Sequence, residues 1–298
     1  MRISQLFLAP DDRLRATWRA FLFLLGVVAL TSLFGLAVIS LLGRDPAQLP
    51  LETRLFLGGV ISAPATLLAS YVFLRWFDLR SFRTLGLWFY DGWAKELVGG
   101  LLGGIFLITI VVLTFLALGK VEFHIREADS SSLLLGLGWN LLLFLPAAAF
   151  EEFLFRGYLF QRLVEGWGAF AAIFVLSALF GLGHRINPSA TPFSIANTVL
   201  IGVLFALTYL KTRGLWLPLG LHYGWNFWLG SVVSLPVSGI AINNRLFDAT
   251  VGGPAWLTGG SYGPEASVVT TALVLAATLW LARTRSLGVS PAQAKQLE

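Results

Sequence analysis

Long apolar runs separated by short polar stretches set the plan of this chain. A helix that crosses the hydrocarbon core of a bilayer needs about 20 mostly apolar residues. Eight runs follow that plan, at roughly 17–42, 56–77, 97–119, 133–163, 167–184, 192–211, 215–237 and 265–283. The pattern predicts an all-α, polytopic membrane protein with about eight transmembrane helices, forming a single transmembrane domain over 1–298. The fourth run is the longest and contains Pro146, where a kink is expected. Turn and breaker residues close the runs: Gly43 to Pro50, Asp91-Gly92, Asn187-Pro188 and Gly252-Gly253-Pro254. The stretch 238–264 is Gly-rich and weakly amphipathic and is expected on the membrane surface. The polar tail 286–298 is expected to be mobile. No small-residue cleavage site follows the first long run, so that run is expected to stay as a helix.

Composition strengthens this reading. Apolar residues make up 56% of the chain, charged residues 12%, and mean hydropathy is +0.77. A soluble domain carries about 25% charged residues. The net charge of +5 does not point to nucleic acid, because Lys and Arg occupy short loops between apolar runs. Counted on alternate sides, 14 fall on one side and 6 on the other, with Arg156 inside a helix. The basic side is the cytoplasmic one. The chain is therefore read as an integral, multi-pass protein of a bacterial cell membrane with both termini cytoplasmic. Cysteine is absent, which excludes disulfides, thiolate metal sites and thiol nucleophiles. Gly99, Gly100, Gly103 and Gly104, and again Gly220 and Gly224, have the spacing that lets helices approach closely. The second pair also flanks His222.

Polar chemistry inside the runs is sparse. Of the 16 acidic residues, 14 lie in loops, tails or at helix ends. The exceptions are Glu151 and Glu152, in PAAAFEEFLFRGYLF. A carboxylate in a bilayer costs at least a few kcal/mol, so it has a partner or a task. Glu152 has Arg156 four residues on, in the favourable acid-first order. Glu151 points about 100° away around the helix, without a local countercharge, and is the candidate general base. A Glu–Arg cluster that only ties helices together is the structural alternative. His124 lies in a loop. His184 ends the fifth run in FGLGH, one turn after Phe180, and His222 lies in HYGWN with Asn226 at i+4. At about 1.5 Å per residue, Glu151 lies about 18 Å from the cytoplasmic edge, His222 and Asn226 roughly 10–17 Å, and His184 about 25 Å. These depths allow convergence in mid-membrane.

The series Glu151-Glu152-x-x-x-Arg156, Phe180-x-x-x-His184, His222-x-x-x-Asn226 resembles the CPBP intramembrane endopeptidases, the CAAX-processing and bacteriocin-processing proteases of the Abi family. The similar region is about 133–237. The resemblance implies an eight-helix α-fold and hydrolysis of a peptide bond in a membrane-associated peptide or protein. It implies that Glu151 activates water, assisted by Glu152 and His184. His222 and Asn226 would stabilise the oxyanion or complete the water site, with Arg156 and Phe180 supporting.

Two imidazoles and a carboxylate also match a hydrolytic zinc site, with Glu151, His184 and His222 as ligands. H-E-x-x-H is absent, so no cofactor is expected and zinc is the alternative. A catalytically silent scaffold or a proton-coupled transporter is the alternative function, since buried Glu, His and Arg also build proton relays. The partners expected are the substrate and the lipid bilayer, with no nucleic acid. Orientation is testable in this cysteine-free chain: single cysteines at Ser4 and Ser290 should resist impermeant label on intact cells, and one at Ser261 should react. Labelling of either terminus from outside would reverse the topology.

Overall fold

A computed structural model describes residues 4–11, 13–43, 45–126 and 129–298. Arg2 and Arg44, counted in the charge balance, fall outside this range. Among the described residues twelve α-helices follow in order: α1 Ser4–Phe7, α2 Ala16–Leu42, α3 Leu51–Val72, α4 Trp93–Ala117, α5 Ser130–Arg156 and α6 Tyr158–Trp167. They continue with α7 Ala169–Gly183, α8 Pro192–Thr212, α9 Trp216–Phe227, α10 Ala255–Thr258, α11 Val268–Arg283 and α12 Pro291–Leu297. A π-helical turn, Phe73–Phe77, extends α3, and another, Trp228–Val232, extends α9.

Among the described residues, six helical stretches are long and apolar enough to cross a membrane: Ala16–Leu42, Leu51–Phe77, Trp93–Ala117, Ser130–Trp167, Ala169–Ile186 and Pro192–Thr212. The other two expected crossings are helical but shorter. α9 has 12 residues before its π turn, and α11 has 16. The protein is thus an all-α, polytopic membrane protein, and its long, lipid-compatible helices match the apolar runs closely.

Four local expectations change. The fourth run is not one helix: it breaks at Gly157 (φ −80°, ψ −131°), and the amphipathic α6 follows. The 238–264 stretch is not a plain surface segment. It contributes the strand β2, Phe247–Val251, which pairs antiparallel with β1, Val121–Ile125, and it buries Tyr262. His124 accordingly sits in β1 opposite Asp248, exposed and outside the cavity described below. The tail carries α12, whose Gln293 is buried. Its side-chain amide donates to Arg213 O at 2.9 Å and accepts from the Trp88 indole at 2.6 Å.

The glycine stripes explain which helices meet. A Cβ on Gly100 would stand 2.3 Å from Leu217 O, and one on Gly104 would stand 2.2 Å from Leu221 O. From the other side, a Cβ on Gly220 would meet Leu97 O at 2.2 Å, and one on Gly224 would meet Leu101 O at 2.3 Å. α4 and α9 therefore pack backbone to backbone, an approach open only to small residues. His222 lies two residues from each glycine, about 200° around the helix, so this packing turns it away from α4. On the other side of the site, Gly59 of α3 lets the backbone of Pro146 and Ala147 in α5 approach closely.

The acidic residues assigned to loops are also less uniform than expected. Asp78, just past α3, is buried and pairs with Arg19 of α2 and, at 3.4 Å, with Arg162 of α6. Glu165 closes this cluster on both arginines. Glu52 is buried and accepts the Asn243 N–H at 2.6 Å.

The packing makes an asymmetric prediction. Gly100→Ala or Gly104→Ala overpacks a backbone contact and should destabilise by about 1–3 kcal/mol. Gly99→Ala, with nothing within 4 Å of its Cβ, should leave the melting temperature in detergent unchanged. Equal stability of all three variants would refute the backbone contact.

Candidate active site

Four helices converge on one ionic cluster. Glu151 and Glu152 lie near the end of α5, and their consecutive positions turn them to different sides. Glu152 is fully buried. Its Oε1 accepts from Arg156 at 3.2 Å, one turn along the same helix, and from His222 Nδ1 of α9 at 2.8 Å. Glu151 faces a cavity of about 410 Å³, with its Oε2 3.8 Å from His222 Nε2. Among the described residues that oxygen accepts no hydrogen bond.

Arg156 does not reach the cavity. Its second terminal nitrogen donates to Gly202 O of α8 at 3.1 Å. The guanidinium lies over the rings of Phe180, Phe205 and Phe155, 4.6, 5.2 and 5.8 Å from their centroids. Planar, always charged and weakly hydrated, Arg suits such a dry aromatic site better than Lys. Phe205 also stacks on His222, with centroids 5.0 Å apart and planes 28° apart.

His222 is held on both sides. Its Nδ1–H donates to Glu152, which leaves Nε2 as the nitrogen facing Glu151. His184 caps the C-terminus of α7, and its Nδ1–H donates to Phe180 O at 2.8 Å. Its Nε2 is therefore the free nitrogen. The ring of Phe180 lies 4.8 Å from that of His184.

The structure brings the predicted residues together in two layers. Glu151, Phe180, His184, His222 and Asn226 line the cavity. Glu152 and Arg156 stand behind them as buried support. Glu152 is thus shielded by His222, and it is the residue hydrogen-bonded to that imidazole. The cavity wall is otherwise mainly apolar, including Phe144, Phe150, Phe155 and Phe205. Among the described residues no three His, Asp or Glu side chains stand close enough together to hold a metal ion.

Sequence reasoning missed one acid. Glu265 also lines the cavity, is buried, and accepts from the Trp225 indole at 3.0 Å and from the Ser238 hydroxyl at 2.8 Å. Its only sequence signal is an acid at the start of the last apolar run, which reads equally well as a solvated helix end.

Comparison with known proteins bears on the same segment. Residues 133–228 match the family described as Rce1-like, type II CAAX prenyl endopeptidase Rce1-like. No curated protein and no solved structure matches the chain. The matched span holds Glu151, Glu152, Arg156, Phe180, His184, His222 and Asn226, and excludes Glu265. The segment that carries the clustered motifs is thus the one similar to the Rce1-like family, which is consistent with the resemblance to the CPBP/CAAX proteases.

Proposed function

We propose that the chain is an intramembrane endopeptidase that hydrolyses a peptide bond in a membrane-proximal peptide through a Glu151-activated water. The observation that carries this reading is the pairing of two unlike environments at adjacent residues. Glu152 is neutralised by Arg156 and spent on orienting His222, whereas Glu151 faces the cavity beside the free nitrogen of that histidine. A carboxylate oriented toward a held imidazole is the arrangement that general base catalysis needs.

In this mechanism water lies between Glu151 and His222 Nε2. Glu151 takes its proton as the water oxygen attacks the carbonyl carbon. The oxyanion forms within reach of the Asn226 amide, one turn beyond His222. Collapse breaks the C–N bond, and the proton passes from Glu151 to the leaving amine, with His184 assisting through Nε2. The mainly aromatic and aliphatic wall favours a substrate with apolar side chains beside the cleaved bond. The 14-to-6 asymmetry of basic residues supports the further proposal of a bacterial cell membrane with both ends cytoplasmic.

Glu151 and its neighbours should fail differently. Glu151→Gln preserves shape and should fold normally while losing about 100-fold or more in turnover. Arg156→Ala strands the buried Glu152 and should cost about 3–5 kcal/mol of stability. Near-normal turnover by Glu151→Gln would remove Glu151 as base; equal unfolding of both variants would make the cluster purely structural.

The histidines provide the second test. His184→Ala and His222→Ala should each lower kcat about 100-fold or more, with Asn226→Ala costing less and His124→Ala nothing. Activity on membrane-proximal peptides should survive prolonged phenanthroline treatment. Loss to chelator with recovery on added zinc would instead assign Glu151, His184 and His222 as ligands.

A further inference from the structure

Of the two acids that line the cavity, Glu265 stands outside the matched segment, and the mechanism above does not use it. It sits in the 3₁₀ turn Pro264–Ala266, directly before α11. That turn is tied down from several sides. The Asn197 amide of α8 donates to Glu265 O at 2.8 Å and to Ser267 O at 2.9 Å. The Thr270 hydroxyl donates to Pro264 O at 2.7 Å, and the Thr271 hydroxyl donates to Asn197 Oδ1 at 2.7 Å.

From this fixed base the carboxylate faces two other elements. Oε1 accepts the Trp225 indole N–H at 3.0 Å. Oε2 accepts the Ser238 hydroxyl at 2.8 Å and the Ser238 backbone N–H. Trp225 stands on α9 beside Asn226 and one turn after His222. Ser238 belongs to the tight turn Val237–Ile240, which closes one side of the cavity.

That turn needs a strong anchor. Ser238 and Gly239 both adopt left-handed backbone, at φ 47° and 85°, and a Cβ on Gly239 would stand 2.0 Å from Pro188 O. Irregular backbone is tolerated at membrane depth only where it is buried in protein or lines a cavity, with its polar groups paired. A carboxylate that accepts three hydrogen bonds gives the strongest such pairing, because each bond is charge-assisted.

We propose that Glu265 is a positioning residue of the site: its carboxylate clamps α9, through Trp225, to the Val237–Ile240 turn, through Ser238. The clamp fixes the face that bears His222 and Asn226 against the wall that encloses the substrate. Its catalytic consequence rests on the endopeptidase reading; the clamp itself does not.

The absence of cysteine makes the clamp directly measurable. Val237→Cys in the full-length chain places a reporter on the turn, at a site 6% exposed. Maleimide should label it slowly. Glu265→Gln turns one acceptor into a donor facing donors, and should raise the labelling rate about tenfold or more, in line with the cost of an unsatisfied buried group. Trp225→Phe and Ser238→Ala should each produce a smaller rise.

In the peptidase assay Glu265→Gln should lower kcat about tenfold or more, the scale on which small misplacements act, while KM stays within about threefold. Trp225→Phe should then add little in the Glu265→Gln background, since both break the same link. Unchanged labelling in a chain with wild-type melting temperature overturns the clamp. So does full kcat in a folded variant whose only loss is thermal stability. If Glu265→Gln does not fold, Trp225→Phe and Ser238→Ala carry the same readouts. A wild-type chain that cleaves no peptide overturns the endopeptidase reading and leaves the labelling comparison to decide the clamp.

Discussion

A carboxylate buried where water cannot reach it must be neutralised by its neighbours, and Glu152 imposes that requirement on four helices at once. Arg156 supplies the countercharge from the same helix, but the guanidinium brings its own demands. Its second terminal nitrogen donates to Gly202 O of α8, and its faces meet Phe180 of α7 and Phe205 of α8. The second acceptor site on Glu152 Oε1 is filled by His222 of α9. Leaving any of these groups unpaired in a low-dielectric interior costs several kcal/mol, so the cluster specifies how α5, α7, α8 and α9 register. A purely apolar core would fill the same space but would accept several registers, since lipid chains are as apolar as leucine side chains.

The glycines serve the same end from the opposite side of α9. Between helices in a bilayer, close van der Waals contact replaces the hydrophobic effect as the main attraction. The backbone approach of α4 to α9 fixes the rotation of α9, and that rotation sends His222 toward Glu152 rather than toward lipid. A larger residue at Gly220 or Gly224 would act on the site without touching it. The two reasons for that pair of glycines, packing and the placement of a histidine, are one reason seen from two faces.

The chemistry was more legible than the architecture around it. Glu151, Glu152, Arg156, Phe180, His184, His222 and Asn226 stand out because charge and imidazole are rare in apolar runs, and i+4 spacing survives folding unchanged. The long helices were legible for the same reason: apolar length is a local property. What sequence could not reveal depends on distant partners. Gly157 breaks α5 from α6 within an unbroken apolar run. Strands β1 and β2, whose paired residues lie between 122 (Ile125 and Phe247) and 130 (Val121 and Val251) positions apart in the sequence, find each other only in the fold. Glu265 reads as a solvated helix end until Asn197, Trp225 and Ser238 surround it. Asp78 and Glu52 were hidden in the same way, since burial of an acid in a loop or at a helix end is decided by what packs over it.

This division has a consequence for how the site can vary. The groups proposed to perform hydrolysis all lie within 133–228, on helices whose relative positions are set by one ion-pair cluster. Much of the enclosure comes from elsewhere: Leu55 on α3, the residues from Val237 to Ile242, and Glu265 before α11. Function resides in sites carried by folds, and here the site is itself composite. The apolar wall residues Leu55, Val237, Ile240 and Ile242 share no charge with the Glu152 cluster or with Glu265, so changes in them alter the shape of the cavity without stranding a buried ion. The clustered residues have no such freedom, because each is the partner of another. In the endopeptidase reading, a segment with fixed chemistry and a separately built wall is an arrangement in which the bond broken stays the same while the peptide admitted can change.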